Sequence, residues 1–181
     1  GLKNLLDVAV LEHIELHESL KVEKNFRKID EIPFNFVRRR MSVVVEEASH
    51  HHELICKGAV EEILQICTHV KVNGQILPID DALRAQADRL KQELNEDGLR
   101  VIAVAYKELP LDQVNYSVAD ECDLILLGYI AFLDPPKDSA TEAIAALDRK
   151  GVQVKILTGD NEIISRKICK DVGLYVYHML L

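Results

Sequence analysis

The stretch from Ile32 to Ala59 restricts the fold more than any other. It begins Ile32-Pro-Phe-Asn-Phe-Val-Arg-Arg-Arg-Met-Ser-Val-Val-Val45 and closes on Leu54-Ile-Cys-Lys-Gly-Ala59. Met41 to Glu47 holds three consecutive valines, whose β-branching suits a pleated strand. Ser49-His-His-His-Glu53 is polar and reads as a turn, with Leu54 to Lys57 as the returning strand, so an antiparallel hairpin is predicted. Gly58 permits a sharp change of direction. Ala59, Val60, Ile63, Leu64, Ile66 and Cys67 then give a helix with a broad apolar face. The hairpin sets Phe34 and Phe36 beside Arg38, Arg39 and Arg40. Arginine next to aromatic rings suits a flat anionic ligand. A Lys-Gly corner that opens a helix offers a charge and backbone N–H groups to an anion.

The remaining elements follow from the same patterning. Apolar spacing predicts a helix from Asn4 to about His13, with His13 and His17 on one face, a pair too small to specify a metal by itself. Phe26 to Ile32 reads as a strand ended by Pro33. Thr68 to Val72 and Gln75 to Ile79 flank Asn73-Gly74, a type I′ hairpin signal. Asp80 or Asp81 caps a long helix with a predicted buried stripe of Leu83, Ala87, Leu90 and Leu94 and with Gly98 just past its end. Leu99 to Tyr106 and Asp123 to Leu133 read as buried strands. The polar segment between them, Leu109 to Cys122, reads as the most mobile loop.

Asp134-Pro-Pro-Lys137 marks a change of style. Ser139 and Glu142 predict a capping box, Gly151 a helix stop, Val152 to Leu157 a strand, Thr158-Gly-Asp-Asn161 a turn, and Ile164, Ile168 and Val172 a helix stopped by Gly173. The expected class is α/β, α+β-like in arrangement. A mixed, mostly antiparallel sheet with flanking helices fills 1–133, and an incomplete parallel β–α segment fills 134–181. In parallel sheets ligands sit at strand C-termini, where Asp134 and Thr158 fall.

Charge narrows the function. The net charge of −8 argues against general nucleic-acid binding and makes the Arg38–Arg40 cluster a local exception. Cys56, Cys67, Cys122 and Cys169 are scattered, without a C-x-x-C pair, and read as reduced thiols. No stretch reaches the ~20 apolar residues of a membrane-spanning helix, so direct membrane insertion is not expected. The first and last residues read as the interior of a longer protein.

Neither Gly-rich phosphate cradle, G-x-x-x-x-G-K-[ST] or G-x-G-x-x-G, is present. Of the aromatic pair, Phe34 follows a proline that fixes its entry angle and is expected to expose its ring, with Phe36 left to the core. On a strand Arg39 points away from Arg38 and Arg40. Lys57 is either a surface cap or a charge on a pocket floor. Arg100 opens a buried strand and needs a partner. Thr158-Gly-Asp160 after a strand has the look of a phosphate-site loop.

Taken together the chain resembles the cytoplasmic part of a P-type cation-transporting ATPase. Pro33-Phe-Asn35 with its basic-Met-Ser-Val run, Lys57-Gly-Ala59, Gly98-Leu-Arg-Val101, Asp134-Pro-Pro136 and Thr158-Gly-Asp-Asn161 stand in that family's order. The wording of Glu31 to Val44 and of Gly128 to Lys137 is most similar to the bacterial magnesium-importing branch. The resemblance implies a nucleotide-binding domain over 1–133 and a partial, haloacid-dehalogenase-like phosphorylation domain over 134–181. It implies that Phe34 stacks on the adenine of ATP, Arg39 lies beside the nucleotide, Lys57 lines the pocket base with Gly58 allowing close approach, Arg100 reaches the phosphates and Asp7 lies near the adenine amino group. Asp134 would belong to the hinge between domains, and Thr158, Gly159 and Asp160 would border the phosphoryl-transfer site.

Mg2+ would arrive with ATP. The implied partners are the remaining phosphorylation, actuator and transmembrane domains of a pump at the cytoplasmic face of a bacterial inner membrane. The family's phosphorylated Asp-Lys-Thr-Gly-Thr motif is absent from these 181 residues, and Lys137 stands where an arginine is usual. The chain is therefore expected to bind ATP without hydrolysing it. Two other classes compete: a haloacid-dehalogenase-like phosphatase using an aspartate, for which Asp134 is the candidate, and a non-catalytic binding module using Arg38 to Arg40.

Overall fold

The computed structural model describes residues 25–47, 51–133 and 135–175. The expected N-terminal helix with Asp7, His13 and His17, the start of the histidine turn, Asp134 and the last residues lie outside that range. The described residues fall into two compact units. One takes those within Gly1–Arg84 and Ile102–Ile130, the other those within Ala85–Val101 and Ala131–Leu181.

Most of a sheet lies in the first unit; its strands are β1 (Phe26–Asn35), β2 (Arg40–Glu47), β3 (His52–Gly58), β4 (Cys67–Val72), β5 (Gln75–Pro78), β6 (Leu99–Leu109) and β7 (Leu124–Leu133), with residues 99–101 of β6 and 131–133 of β7 counted in the second unit. Their order is β1-β2-β3-β6-β7-β4-β5. The β1/β2, β2/β3, β3/β6 and β4/β5 pairs are antiparallel and β4/β7 is parallel, so the mixed, mostly antiparallel sheet expected from the sequence is found. Helix α1 (Val60–Ile66) follows β3 directly.

Alternation on the strands builds the core. Ser42, Cys56 and Ala105 stand in register across β2, β3 and β6 and are buried, as are Val44 and Leu54 one step along. Val60 and Ile63 of α1, Cys67 of β4 and Leu124 of β7 are buried with them. Because Cys56 points into this core, its neighbour Lys57 belongs to the opposite face of the sheet. Asn73 (φ 51°) and Gly74 (φ 82°) both adopt the left-handed conformation that a type I′ turn requires, as their sequence predicts.

Helix α2 (Asp81–Glu96) has the expected span, but its stripe is less covered than expected. Leu83, Ala87 and Leu94 are half-buried, Leu90 is exposed, and the one buried residue of the helix is Asn95. Periodicity gives a helix its apolar face; burial also needs an element laid against that face, and the described residues cover it only in part.

The polar segment after β6 also departs from expectation. It is not a loose loop. Ser117 caps a short 3-10 turn, Val118–Asp120, with a reciprocal capping box. The Gln113 amide donates to Asp120 Oδ1 (2.8 Å), and the Tyr116 hydroxyl lies 2.9 Å from His52 Nδ1. At its end Glu121 is buried. Local hydrogen bonds and one buried acid therefore tie the segment to the sheet.

In the second unit α3 (Ser139–Asp148) and α4 (Glu162–Asp171) form where expected. The Ser139–Glu142 capping box does not. The N-cap is Asp138, already in helical conformation and without a side-chain bond, while the Ala140 N–H goes to the Lys137 carbonyl (2.8 Å). Asn161 caps α4 instead, its Oδ1 accepting from the Ile164 N–H (3.0 Å). The strand expected over Val152 to Leu157 is not formed, and Leu157 is fully exposed. A parallel strand exists only with a neighbour to bond, and no described strand pairs with this run.

Candidate functional site

The connection between β1 and β2 is tightly built. Asn35 Oδ1 accepts from the Val37 N–H (2.8 Å) and the Arg38 N–H (3.1 Å), and the Asn35 carbonyl accepts from the Arg39 N–H (2.7 Å). Arg39 takes a φ of 48°, which turns the chain back into β2. Phe34 is half-exposed, and Phe36 and Val37 stand almost wholly in solvent. The assignment of Phe36 to the core is thus overturned. Strand alternation ends at Asn35, so Phe36 belongs to the turn. The two rings meet edge to face, with centroids 5.3 Å apart and an interplanar angle of 86°.

The three arginines divide. Arg38 Nη1 and Arg40 Nε donate to the same oxygen of Glu121, Oε2, at 2.6 and 2.8 Å. Ser42 Oγ donates to the other oxygen, Oε1, at 2.8 Å. Arg38 also donates through Nη2 to the Pro33 carbonyl (2.7 Å). The Glu121 side chain is fully enclosed, and those of Arg38 and Arg40 nearly so. Burial pushes the Glu121 carboxyl up, but the hydrogen bonds from Arg38, Arg40 and Ser42 outweigh it and hold the group below its ordinary value of 4.5. Arg39, pointing the other way, is more than half exposed, with Glu62 3.8 Å from its guanidinium.

The Lys-Gly corner closes this arrangement. Register places Arg40 opposite Gly58 and Met41 opposite Lys57. A Cβ on Gly58 would lie 2.5 Å from both the Arg39 carbonyl oxygen and Arg40 Cβ, so only glycine lets the turn seat there. The Ala59 N–H donates to the Arg39 carbonyl (3.0 Å). This changes one reading of the corner: that N–H serves the neighbouring turn, so it is not free for an anion. Phe34, Arg39, Lys57 and Gly58 are thereby gathered at one end of three adjacent strands.

The second unit holds another group. Arg100 Nη2 pairs with Asp160 Oδ2 at 2.9 Å, which supplies the partner its position demanded. Thr158 Oγ1 donates to the same oxygen (3.2 Å) and accepts from the Asp160 N–H (3.0 Å). Gly159 has open space where a Cβ would be. Asp7 and Asp134, the other two predicted site residues, lie outside the described residues. Among the described residues no cluster of three or more His, Cys, Asp or Glu is placed to hold a metal, and no helix is long and apolar enough to cross a membrane.

Sequence reasoning missed Glu121. Three adjacent arginines in an acidic protein call for a counter-charge, but with 30 carboxylates to choose from the pattern does not say which. The thiols of Cys56 and Cys67 are pushed up by burial to about 11 and about 12, in keeping with reduced, inert core cysteines.

The family described as "P-type ATPase, cytoplasmic domain N" matches residues 2–139. The chain is similar to "Magnesium-transporting ATPase, P-type 1" of Escherichia coli (strain K12), 54% identical over 96% of this chain and 19% of that protein. It is also similar to a protein of the same name from Salmonella typhimurium (strain LT2), 41% identical over 99% of this chain and 20% of that protein. A more distant relative is "Calcium-transporting ATPase" of Bacillus subtilis (strain 168), 30% identical over 84% of this chain and 17% of that protein. The chain thus spans about a fifth of the length of the curated relatives it matches. With residues 2–139 matched, this chain belongs to the P-type ATPase family, in its cytoplasmic domain N.

Proposed function

We propose that the chain is the ATP-binding part of a P-type pump that moves a cation, magnesium by its relatives' names, across a bacterial inner membrane from the cytoplasmic face. The observation that carries this reading is the meeting of Phe34, Arg39, Lys57 and Gly58 at one end of β1, β2 and β3. A half-exposed ring offers a face to adenine, and base–aromatic stacking of this kind is worth about 1–3 kcal/mol. Arg39 and Lys57 supply positive charge at the same end of these strands, and Mg2+ comes in with the nucleotide. The second unit contributes Arg100, Thr158, Gly159 and Asp160, which by family resemblance serve the transferred phosphoryl group. The Arg100 charge supports neutralisation, one of the main protein contributions to phosphoryl transfer.

Residues 1–133 act as the nucleotide-binding domain and 134–181 as the start of the phosphorylation domain. The acceptor aspartate and the actuator and transmembrane domains belong to the parent pump. Titration of the chain with ATP, followed by backbone amide NMR shifts, tests this. Shifts clustered on Phe34 to Arg40 and on Lys57, weakened in Phe34→Ala and Lys57→Ala, are expected, with no phosphate released. Scattered shifts, or unchanged affinity in both variants, overturn the site.

A further inference from the structure

Glu121 is distant in sequence from every residue of the proposed nucleotide site, yet its carboxylate reaches both flanks of the turn that carries Phe34 and Arg39. Through Arg38 it extends to the Pro33 carbonyl, the peptide group immediately before Phe34 (Glu121 Oε2 to Arg38 Nη1 2.6 Å, Arg38 Nη2 to Pro33 O 2.7 Å). Through Arg40 and Ser42 it holds the first residues of β2, on the far side of Arg39 (2.8 Å each). With its two neighbours drawn inward to one carboxylate, Arg39 is left facing outward at the left-handed bend (φ 48°). Its carbonyl is fixed against the Gly58 corner by the Ala59 N–H.

One oxygen of Glu121 serves two guanidinium groups, so the cluster of one carboxylate and two arginines keeps a net positive charge beneath the exposed Arg39. Inside a protein such charge-assisted bonds are strong and geometrically exacting. A carboxylate sealed from solvent therefore has the means to set where the ring and the cation of the binding surface stand.

From this geometry we infer that Glu121 is a positioning residue for nucleotide binding: it does not touch the nucleotide but orients Phe34 and Arg39 toward it. The inference rests on the ATP-binding reading. It separates the arginine run into two duties, with Arg38 and Arg40 as braces and Arg39 as the ligand-side charge. It also gives the segment before β7 a place in recognition that its own sequence does not suggest.

The test measures ATP affinity by calorimetry for the unmodified chain, Glu121→Gln, Glu121→Asp, Arg39→Ala and the double variant Glu121→Gln/Arg39→Ala, at a temperature where circular dichroism shows each folded. Glu121→Gln is expected to weaken ATP binding about tenfold, Glu121→Asp to recover part of that, and the double variant to lose less than the product of the two single losses. Amide hydrogen exchange of Phe34 to Arg40 without nucleotide is expected to quicken in Glu121→Gln, a local effect that a general loss of stability would not confine to the turn. If folded Glu121→Gln binds ATP as tightly as the unmodified chain, or the losses multiply in full, the positioning role is overturned while ATP binding stands. If the unmodified chain shows no saturable ATP binding, the ATP-binding reading falls and the inference falls with it.

Discussion

Two arginine sites in this molecule each close on a carboxylate and differ in what surrounds them. In the first unit Arg38 and Arg40 close on a carboxylate that solvent does not reach. In the second unit Arg100 closes on Asp160 with a good part of both side chains in water. Partners and distances are similar; burial is not. A sealed pair cannot exchange its partner without stranding a charge, so it acts as framework. A half-open pair contributes little to stability and gives way cheaply to another anion such as a phosphate. Burial thus decides which arginines brace the fold and which stay available to a ligand.

The largest expected effect breaks the sealed site. Glu121→Ala leaves two nearly buried guanidinium groups and the Ser42 hydroxyl without their acceptor, and is expected to cost about 3 kcal/mol. Asp160→Ala removes the partner of a partly exposed arginine and is expected to cost about 1 kcal/mol or less. Urea unfolding of both variants measures the difference, and equal losses would remove the distinction between the two sites.

Next in size is a pair of glycines. Gly58→Ala forces a Cβ to within 2.5 Å of the Arg39 carbonyl and Arg40 Cβ. Overpacking against fixed backbone of this kind costs about 1–3 kcal/mol. Gly159→Ala meets nothing within 4 Å and is expected to change stability by less than about 0.5 kcal/mol. Thermal melts of the two variants decide it.

The contrast also explains what the sequence could convey. The β2–β3 hairpin, the Asn73-Gly74 turn and helices α1 to α4 come from local pattern, and local pattern was legible. The grouping of Phe34, Arg39, Lys57 and Gly58 followed from motifs close together along the chain. Glu121 was not legible, because its partners are about 80 residues away and a lone acid in a polar run carries no mark of burial. Phe36 was misread because the strand stops one residue before it, and Asn35 ends the strand through side-chain bonds that alternation ignores. The Val152 to Leu157 run has strand composition, yet composition cannot provide the neighbouring strand.

Acid sharpens the comparison further. The Glu121 carboxyl is held below 4.5 in the folded chain, so its contribution is fully present above that ordinary value and is lost as pH falls through the lowered folded value. Stability of the unmodified chain should therefore fall below about pH 4.5 more steeply than that of Glu121→Gln, which has no proton to take up at this position. Urea midpoints from pH 6 downward give the slopes, and parallel curves would show that the Glu121 cluster is not coupled to folding.

The smallest effect reports on the two units separately. Cys56 stands opposite Ser42, whose hydroxyl donates to Glu121, while Cys169 lies buried on α4 in the second unit. With its thiol at about 11, Cys56 at pH 8 is only about one part in a thousand thiolate even before burial limits access, so it reacts with a thiol reagent only when the sheet opens. Glu121→Gln loosens the β2 end of that opening unit and leaves α4 alone. Labelling of Cys56 should therefore quicken a few-fold and that of Cys169 should not, as read by mass spectrometry of peptides after timed modification. Equal acceleration at Cys56 and Cys169 would mean that the substitution opens the whole chain, and the brace would then be a general support of the fold, not a local support of the turn.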